Sequence, residues 1–204
     1  MADLQVFTIG HSNHTLEIFL TLLSRHEVSA VADVRSAPYS RFCPQFNRDV
    51  LPAALKASNI RYSYLGRELG GRSEDSACYQ DGQIKYDLVA RTSVFREGLA
   101  RVVGGAESYR IALMCAEKEP LDCHRTLLVA PELVAVGVDV VHILAGGELE
   151  THQKTMERLL AQLNPNYDLF QPREELLADA LARQARRIAY VRKSSDTATR
   201  EFSK

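Results

Sequence analysis

Five short apolar runs alternate with longer amphipathic segments along the chain, and this alternation restricts the possible folds more than any other feature. The runs are VFTIG (6–10), VADVR (31–35), IRYSYL (60–65), YRIALMC (109–115) and VDVVHIL (138–144). Each run is short and nearly continuous in hydrophobicity, as is typical of strands covered on both faces. We therefore predict a single α/β domain with a mostly parallel sheet of about five strands and helices on both faces.

The intervening segments carry helix signals. The predicted helices run from a Thr15 cap to about His26, from Asn47 or Asp49 through VLPAALKASN, over DLVARTSVFREGLARVV to a stop at Gly104 and Gly105, from near Asp122 through LLVAPELVAVG, and from about Glu148 to Leu163. Thr, Asn and Asp are favoured helix caps, and glycine is a common stop signal. Pro131 must kink or divide the fourth helix, because proline removes a helical hydrogen bond.

The length of 204 residues falls within the range of one domain. We expect a core over about residues 1–164, an Arg-rich C-terminal helix over about 165–193 and a flexible tail over 194–204. The stretch from Gly66 to Lys85 has no apolar period, and we interpret this long loop as a candidate lid.

Composition and charge argue against several classes of protein. Hydrophobic residues make up 46% of the chain, charged residues 25%, and the net charge is −1, so neither disorder nor a general attraction to nucleic acid or membrane is indicated. The amino terminus lacks a signal pattern, and no apolar stretch reaches the roughly 18 residues of a membrane helix, so we expect a cytoplasmic protein. Free thiols or metal-bound thiolates are then expected for Cys43, Cys78, Cys115 and Cys123.

Polar residues follow four of the five predicted strands. They are Gly10-His11-Ser12-Asn13, Arg35-Ser36, Gly66-Arg67 and Cys115-Ala116-Glu117. Ligands of open parallel sheets bind beyond the carboxyl ends of the strands. We therefore expect these groups to converge on one edge of the sheet and to form a site there.

The segment LMCAEKEPLDCHR, residues 113–125, concentrates reactive side chains directly after a predicted strand. Cys115 is either a small core residue or a thiolate favoured by nearby positive groups. Cys123 lies at the predicted start of a helix, where the helix dipole also favours a thiolate. His124 and Glu117 can transfer protons, whereas Arg125 can hold an anion or pair with a glutamate.

The same residues raise the question of a metal or a disulfide. Zinc accepts thiolate and imidazole ligands such as Cys115, Cys123, His124 and His11, but the C-x7-C-H spacing is not a recognised zinc pattern. We therefore predict no metal site and leave the cofactor open. A disulfide between the two cysteines is geometrically possible but is not implied.

Arginines after the second and third strands predict an anion site. Arg35 and Arg41 flank a proline turn with Tyr39, a composition that fits an anion pocket with aromatic stacking, and Arg67 follows the third strand. The alternative is a rigid loop with surface arginines. The glycines of YLGRELGG match neither the ATP nor the NAD phosphate loop. The C-terminal helix could contact nucleic acid, but its acidic residues favour a solvated helix.

The motifs TIGHS (8–12), DVR and PYS (33–40), LGRELGG (65–71) and CAEKEP with CHR (115–125) resemble those of the uncharacterised domain-of-unknown-function family 488. The resemblance spans roughly residues 4–145, with the motifs in the same order. It implies one shared site and supplies no reaction. The implied site residues are His11, Ser12, Asp33, Arg35, Pro38, Cys115, Glu117, Cys123, His124 and Arg125.

These patterns lead to one preferred hypothesis, a cysteine-dependent transferase or hydrolase that acts on an anionic or nucleotide-like small substrate. Cys115 is the favoured nucleophile, and Cys123 is its alternative or a resolving thiol. Glu117 or His124 transfers protons, and His11 polarises or protonates the leaving group. The expected anion ligands are Arg35, Arg125, Ser12, Arg41 and Arg67. The alternatives are a non-catalytic nucleotide or nucleic-acid binding module and a Cys/His metal protein, and the oligomeric state stays open.

Overall fold

The strands of the protein form one large sheet and a separate hairpin. The computed structural model describes residues 4–163 and 172–192. The strands in this part of the chain are β1 (Gln5–Gly10), β2 (Ala30–Asp33), β3 (Arg61–Tyr64), β4 (Tyr79–Gln80), β5 (Gln83–Ile84), β6 (Ile111–Cys115), β7 (Asp139–Ile143) and β8 (Leu149–Thr151). The sheet has the order β3-β2-β6-β1-β7-β8, while β4 and β5 pair only with each other.

The predicted α/β fold with a mostly parallel sheet is confirmed. Every neighbouring pair in the large sheet is parallel except β7 and β8, which are antiparallel. The prediction of about five strands missed β8, because its three residues are too short to show a periodic pattern and precede a strong helical one. The candidate lid from Gly66 to Lys85 contains the antiparallel β4–β5 hairpin, which the sequence did not predict.

Helices cover the sheet on both faces, as predicted. They are α1 (Leu16–Arg25), α2 (Leu51–Ala57), α3 (Tyr86–Ala90), α4 (Ser93–Ala106), α5 (Ala130–Ala135), α6 (His152–Leu163) and α7 (Arg173–Ile188). Thr15 caps α1 by accepting a hydrogen bond from the amide of Ile18, which confirms the predicted cap. The predicted tail over 194–204 lies outside the described residues.

Three predicted helix boundaries are wrong. The second helix begins at Leu51 rather than at Asn47 or Asp49, with no side-chain cap. The third divides into α3 and α4, because the Thr92 hydroxyl accepts a hydrogen bond from the amide of Phe95 and starts a new helix. Gly104 and Gly105 do not stop α4, which runs on to Ala106.

The fourth predicted helix is divided, as its proline indicated. Residues Arg125–Val129 form one π-helical turn, and α5 follows with Pro131 in its first turn. All five residues of the π-helical turn are buried. Wide turns of this kind are frequent at functional sites, and here the turn directs the predicted anion ligand Arg125 into the protein.

The strands alternate their side chains between two hydrophobic cores. Leu113 and Cys115 of β6 pack with α4 and α5, whereas Ala112 and Met114 pack with α1 and α2. This period of two is the expected geometry of a buried strand. No helix in the described part of the chain is long and apolar enough to cross a membrane.

Candidate functional site

The carboxyl ends of the central strands β1 and β6 are joined by hydrogen bonds beyond the sheet. The amide of His11 donates to the carbonyl of Cys115 at 2.9 Å, and the amide of Ser12 donates to that of Ala116 at 2.9 Å. The loop after β1 therefore lies directly against the loop after β6. This contact brings the predicted polar groups of two strand ends to one place, as the parallel topology requires.

Two buried cysteines share one carboxylate at this edge. The Sγ atoms of Cys115 and Cys123 lie 2.9 and 3.0 Å from the same Oε2 atom of Glu117. The Nδ1 atom of His124 lies 3.7 Å from the sulfur of Cys115 and 3.8 Å from that of Cys123. Two sulfurs, one carboxylate oxygen and one imidazole nitrogen thus meet within 4.8 Å of one another.

Contacts with the backbone at Val34 and Gly71 fix the orientation of the His124 ring. Its Nε2 atom lies 3.0 Å from the carbonyl oxygen of Val34, an acceptor that requires a proton on Nε2. The ring also packs against Gly71, where an added Cβ would lie 3.0 Å from the ring carbon Cγ. In the neutral imidazole, the lone pair of Nδ1 therefore faces the two thiols.

Arg125 is a fully buried cation beside the cysteine cluster. Its guanidinium donates to the carbonyl oxygens of Glu117 at 2.7 Å and Lys118 at 3.4 Å, and to the hydroxyl of Thr8 at 3.3 Å. No carboxylate of the described residues forms an ion pair with it. A buried charge needs a compensating charge nearby, and thiolate formation at Cys123 would supply one.

The surroundings shift the two thiol pKa values in opposite directions. Burial raises the pKa of the Cys115 thiol well above its usual value, and the neighbouring Cys123 and Glu117 act in the same direction. Burial also opposes ionisation of Cys123, but the hydrogen bond from Cys115 and the charges of Arg125 and His124 outweigh it and bring the pKa of Cys123 well below its usual value. These shifts favour the thiolate on Cys123 rather than on Cys115.

Arg35 reaches the site already paired with a carboxylate. Its guanidinium forms two hydrogen bonds with Asp33, at 2.9 and 2.7 Å, and donates to the carbonyl oxygen of Phe46 at 2.7 Å. The hydroxyl of Tyr62 donates to the same carboxylate at 2.8 Å. The predicted role of Arg35 as a primary anion ligand is thereby weakened, because Asp33 neutralises its charge.

His11 is held between Arg35 and an aromatic ring. Its Nε2 atom lies 3.1 Å from a guanidinium nitrogen of Arg35, and its ring stacks on Phe46 with a centroid distance of 4.4 Å. Burial, and then the charge of Arg35, lower the pKa of His11 to about 4. A neutral His11 at physiological pH can accept a hydrogen bond but is a poor general acid.

A cavity of about 260 Å³ opens beside the cysteine cluster. Its walls include Cys115, Glu117 and His124 from the cluster, together with Arg35, Ser36, Arg72 and Tyr190. Cys115 therefore borders the cavity, whereas Cys123 lies behind it. Arg72 was not predicted as a site residue; its guanidinium stacks 4.4 Å above the ring of Tyr190. The signal for Arg72 in the sequence was only its place after the glycines of LGRELGG.

Four predicted anion ligands do not border this cavity: Arg125 lies buried beside the cysteine cluster, and Ser12, Arg41 and Arg67 lie outside the cluster. Ser12 turns away in a left-handed backbone conformation, and its hydroxyl donates to the side chain of Asn13. Arg41 is exposed and stacks over Phe42, and Arg67 is exposed on the loop after β3. The structure therefore brings together Cys115, Glu117, Cys123, His124, Arg125, His11 and Arg35, but not Ser12, Arg41 and Arg67.

A chain of buried polar groups supports Arg125 from the opposite side. The Thr8 hydroxyl, which accepts from Arg125, lies 2.8 Å from Nδ1 of His142, its register partner on β7. Nε2 of His142 lies 3.2 Å from Nδ1 of His152 at the start of α6. The sequence did not predict this network of hydrogen bonds, because a single histidine within an apolar strand does not indicate which residues it will contact.

The two histidines of this buried polar network, His142 and His152, predict a loss of stability in acid. Burial lowers the pKa of His152 to about 4 and that of His142 well below its usual value. The unfolded state takes up protons near pH 6.5, before the folded state does, so stability falls as the pH is lowered through this window. We expect His152 alone to reduce the free energy of unfolding by about 2 kcal/mol between pH 8 and pH 5.

Urea unfolding of the wild type and of His152→Asn at both pH values measures this effect. The difference between pH 8 and pH 5 is expected to be smaller in the variant, because asparagine does not titrate. An equal pH dependence in the two proteins would contradict the assignment.

Comparison with known proteins gives one match. The family model described as Domain of unknown function DUF488 matches residues 15–130, which is more than half of the chain. This range contains the cysteine cluster and Arg125 but begins after His11 and Ser12. No curated protein and no solved structure matches the chain.

Proposed function

The chain belongs to the family of domains of unknown function DUF488, as its motifs predicted, and we propose that it is a cysteine-dependent enzyme that acts on an anionic or nucleotide-like small substrate. One observation carries the proposal. Cys115 borders a cavity and, together with Cys123, lies within hydrogen-bonding distance of a single carboxylate oxygen of Glu117. Inert structural cysteines pack among apolar groups and need no such partners.

The positions of the two sulfurs divide their roles. Cys115 forms the bond to substrate, because it lies on the wall of the cavity. Cys123 holds negative charge next to Arg125 and accepts the proton of Cys115 as the latter attacks. The arrangement follows the general scheme in which an adjacent base activates a nucleophile. This assignment keeps the favoured nucleophile of the sequence analysis and gives the second cysteine the role of a base.

The remaining groups act on the leaving group. The sulfur of Cys115 displaces it from the substrate, and the leaving group takes a proton from Glu117, whose pKa is raised by burial and by the charge of Cys123. Water or a second acceptor then displaces the sulfur and gives its proton to Glu117, while Cys123 returns its proton to the Cys115 sulfur and restores the thiol. With water as the acceptor, the reaction is that of a hydrolase. With a second acceptor, it is that of a transferase.

The anionic part of the substrate is held by other residues of the cavity wall. Arg72, Ser36 and Tyr190 border the cavity, and the Arg72 guanidinium stacks on one face of the Tyr190 ring. A cation next to an aromatic ring suits a phosphate or carboxylate attached to a planar group. Arg35 acts as a positioning residue for His11, since its own charge is neutralised by Asp33.

Alkylation of the four cysteines tests the proposal without knowledge of the substrate. Metal-depleted, reduced protein is treated with iodoacetamide at pH 7, and the labelling rate of each cysteine is followed by mass spectrometry. Because Cys115 borders the cavity and the Cys123 thiolate takes its proton during attack, we expect Cys115 to react about 10-fold faster than Cys78, which is equally buried but lies outside the cluster. In Cys123→Ser, the labelling of Cys115 is expected to slow to the rate of Cys78.

The matched control is Cys78→Ser, which should leave the labelling of Cys115 unchanged. Labelling of Cys115 no faster than that of Cys78 in the wild type contradicts a nucleophilic role. If Arg72→Ala then still abolished the binding of a nucleotide or other small anion, the non-catalytic binding module would be the better description.

A further inference from the structure

The four polar groups of the cysteine cluster are arranged as a metal site. In tetrahedral zinc centres the Zn–S distance is about 2.3 Å and the Zn–N distance about 2.0–2.1 Å, which places sulfur and nitrogen about 3.6 Å apart. The two sulfurs lie 3.7 and 3.8 Å from Nδ1 of His124, close to this spacing before any ion is bound. The carboxylate oxygen of Glu117 completes a set of four ligand atoms; it lies 2.9 and 3.0 Å from the two sulfurs and must move away from them to reach the spacing of a zinc centre.

The histidine is prepared to act as a ligand. Metal-binding histidines usually donate their second ring nitrogen to a carbonyl or carboxylate, which fixes the tautomer and directs the lone pair to the metal. His124 has this arrangement, with Nε2 at 3.0 Å from the carbonyl oxygen of Val34. Its Nδ1 atom is therefore available to a cation without rearrangement of the ring.

The charges around the cluster also fit a divalent cation. Two thiolates, the Glu117 carboxylate and a divalent ion sum to one negative charge, which the buried guanidinium of Arg125 balances. Arg125 in addition donates to the backbone carbonyl of Glu117 at 2.7 Å and so holds the loop that carries this ligand. The long spacing between Cys115 and Cys123 along the chain, which argued against a metal, does not limit their distance in the folded protein.

We propose that Cys115, Cys123, His124 and Glu117 bind Zn²⁺, with both sulfurs as thiolates and Glu117 as the ligand nearest the cavity. Thiolate and imidazole ligands favour zinc over magnesium or calcium. Bound zinc occupies the sulfur that attacks the substrate, so the metal-bound form is inactive and metal removal releases the nucleophile. This regulatory consequence rests on the proposed function, whereas the metal binding itself does not.

A titration with Co²⁺ in place of Zn²⁺ tests the site directly. The full-length chain is reduced, treated with a chelator and desalted, and Co²⁺ is then added while the absorption spectrum is recorded. We expect a thiolate-to-cobalt charge-transfer band and the visible bands of tetrahedral Co²⁺, both saturating at one ion per chain and both removed by Zn²⁺.

Variants identify the ligands. Cys123→Ser and His124→Asn are each expected to weaken Co²⁺ binding by about 100-fold. Glu117→Gln should weaken binding but keep the charge-transfer band, because both thiolates remain. The matched control Cys78→Ser removes an equally buried thiol outside the cluster and should bind Co²⁺ like the wild type. Circular dichroism of each variant verifies that it is folded.

Alkylation of the same samples with and without Zn²⁺ separates this inference from the proposed function. Absence of the cobalt bands together with thiols that zinc does not protect overturns the metal site, while fast labelling of Cys115 would still support the enzyme. Cobalt bands together with slow labelling of the metal-free protein support the metal site and contradict the nucleophile. Binding of Co²⁺ that is unchanged in both Cys123→Ser and His124→Asn also overturns the proposed ligands.

Discussion

Replacement of Gly10 with alanine is expected to destabilise the protein by about 3 kcal/mol and to abolish the fast labelling of Cys115. A Cβ atom at Gly10 would lie 1.9 Å from the carbonyl oxygen of Glu117 and 2.8 Å from its carbonyl carbon. The Gly10 backbone cannot withdraw easily, because Gly10 pairs with Cys115 at the end of two central strands. The loop that carries Glu117 must therefore move away and open the cysteine cluster.

Gly104→Ala is the matched control for this substitution. Gly104 lies within α4, and an added Cβ there would meet nothing within 4 Å. Alanine is expected to stabilise the protein at this position by about 0.5–1 kcal/mol, because it is the better helix former. Urea unfolding of both variants gives the two values, and a loss below about 0.5 kcal/mol in Gly10→Ala would show that the contact with Glu117 is not restrictive.

Replacement of Arg125 with methionine is expected to affect both stability and reactivity. The variant leaves the carbonyl oxygens of Glu117 and Lys118 without their guanidinium donor inside the protein. We expect a loss of about 3 kcal/mol in the free energy of unfolding. Loss of the nearby cation also disfavours the Cys123 thiolate, so labelling of Cys115 at pH 7 should slow about 10-fold.

Two further variants separate the charge of Arg125 from its hydrogen bonds. Arg125→Lys keeps the cation but loses the planar fork of donors, so we expect reduced stability and largely retained labelling. Arg101→Met removes an exposed arginine paired with Glu68 and should change stability by less than about 1 kcal/mol. If Cys115 of Arg125→Met is alkylated at the wild-type rate, the buried cation does not favour the Cys123 thiolate.

The site was predictable from the sequence to the extent that it depends on strand ends. The run ending at Cys115 and the motif after Gly10 are both readable as strands followed by polar residues. Parallel topology then places such residues on one edge, whatever the strand order. The convergence of His11 with the cysteine segment required no further information than this rule.

The partners of each polar group were not predictable in the same way. The segment around Arg35 had the composition of an anion site. In the structure, Asp33, two residues earlier on the chain, accepts two hydrogen bonds from the Arg35 side chain. Arg72 borders the cavity and Arg67 does not, although no pattern in the sequence distinguishes the two. Such outcomes depend on the direction of each side chain from its loop, and irregular loops have no period from which a direction can be read.

The sequence by itself determined the α/β class, the five parallel strands, the family and the edge of the sheet at which the reactive residues collect. These features follow from hydrophobic periodicity and from short motifs, which are local properties of the chain. Only the tertiary structure decided that Cys115 and Cys123 share Glu117, that His124 turns Nδ1 toward both sulfurs, and that Arg125 lies buried beside them. The physical reason is that these contacts join residues of different loops and of the π-helical turn. The fold, and not the spacing along the chain, determines which of their atoms meet.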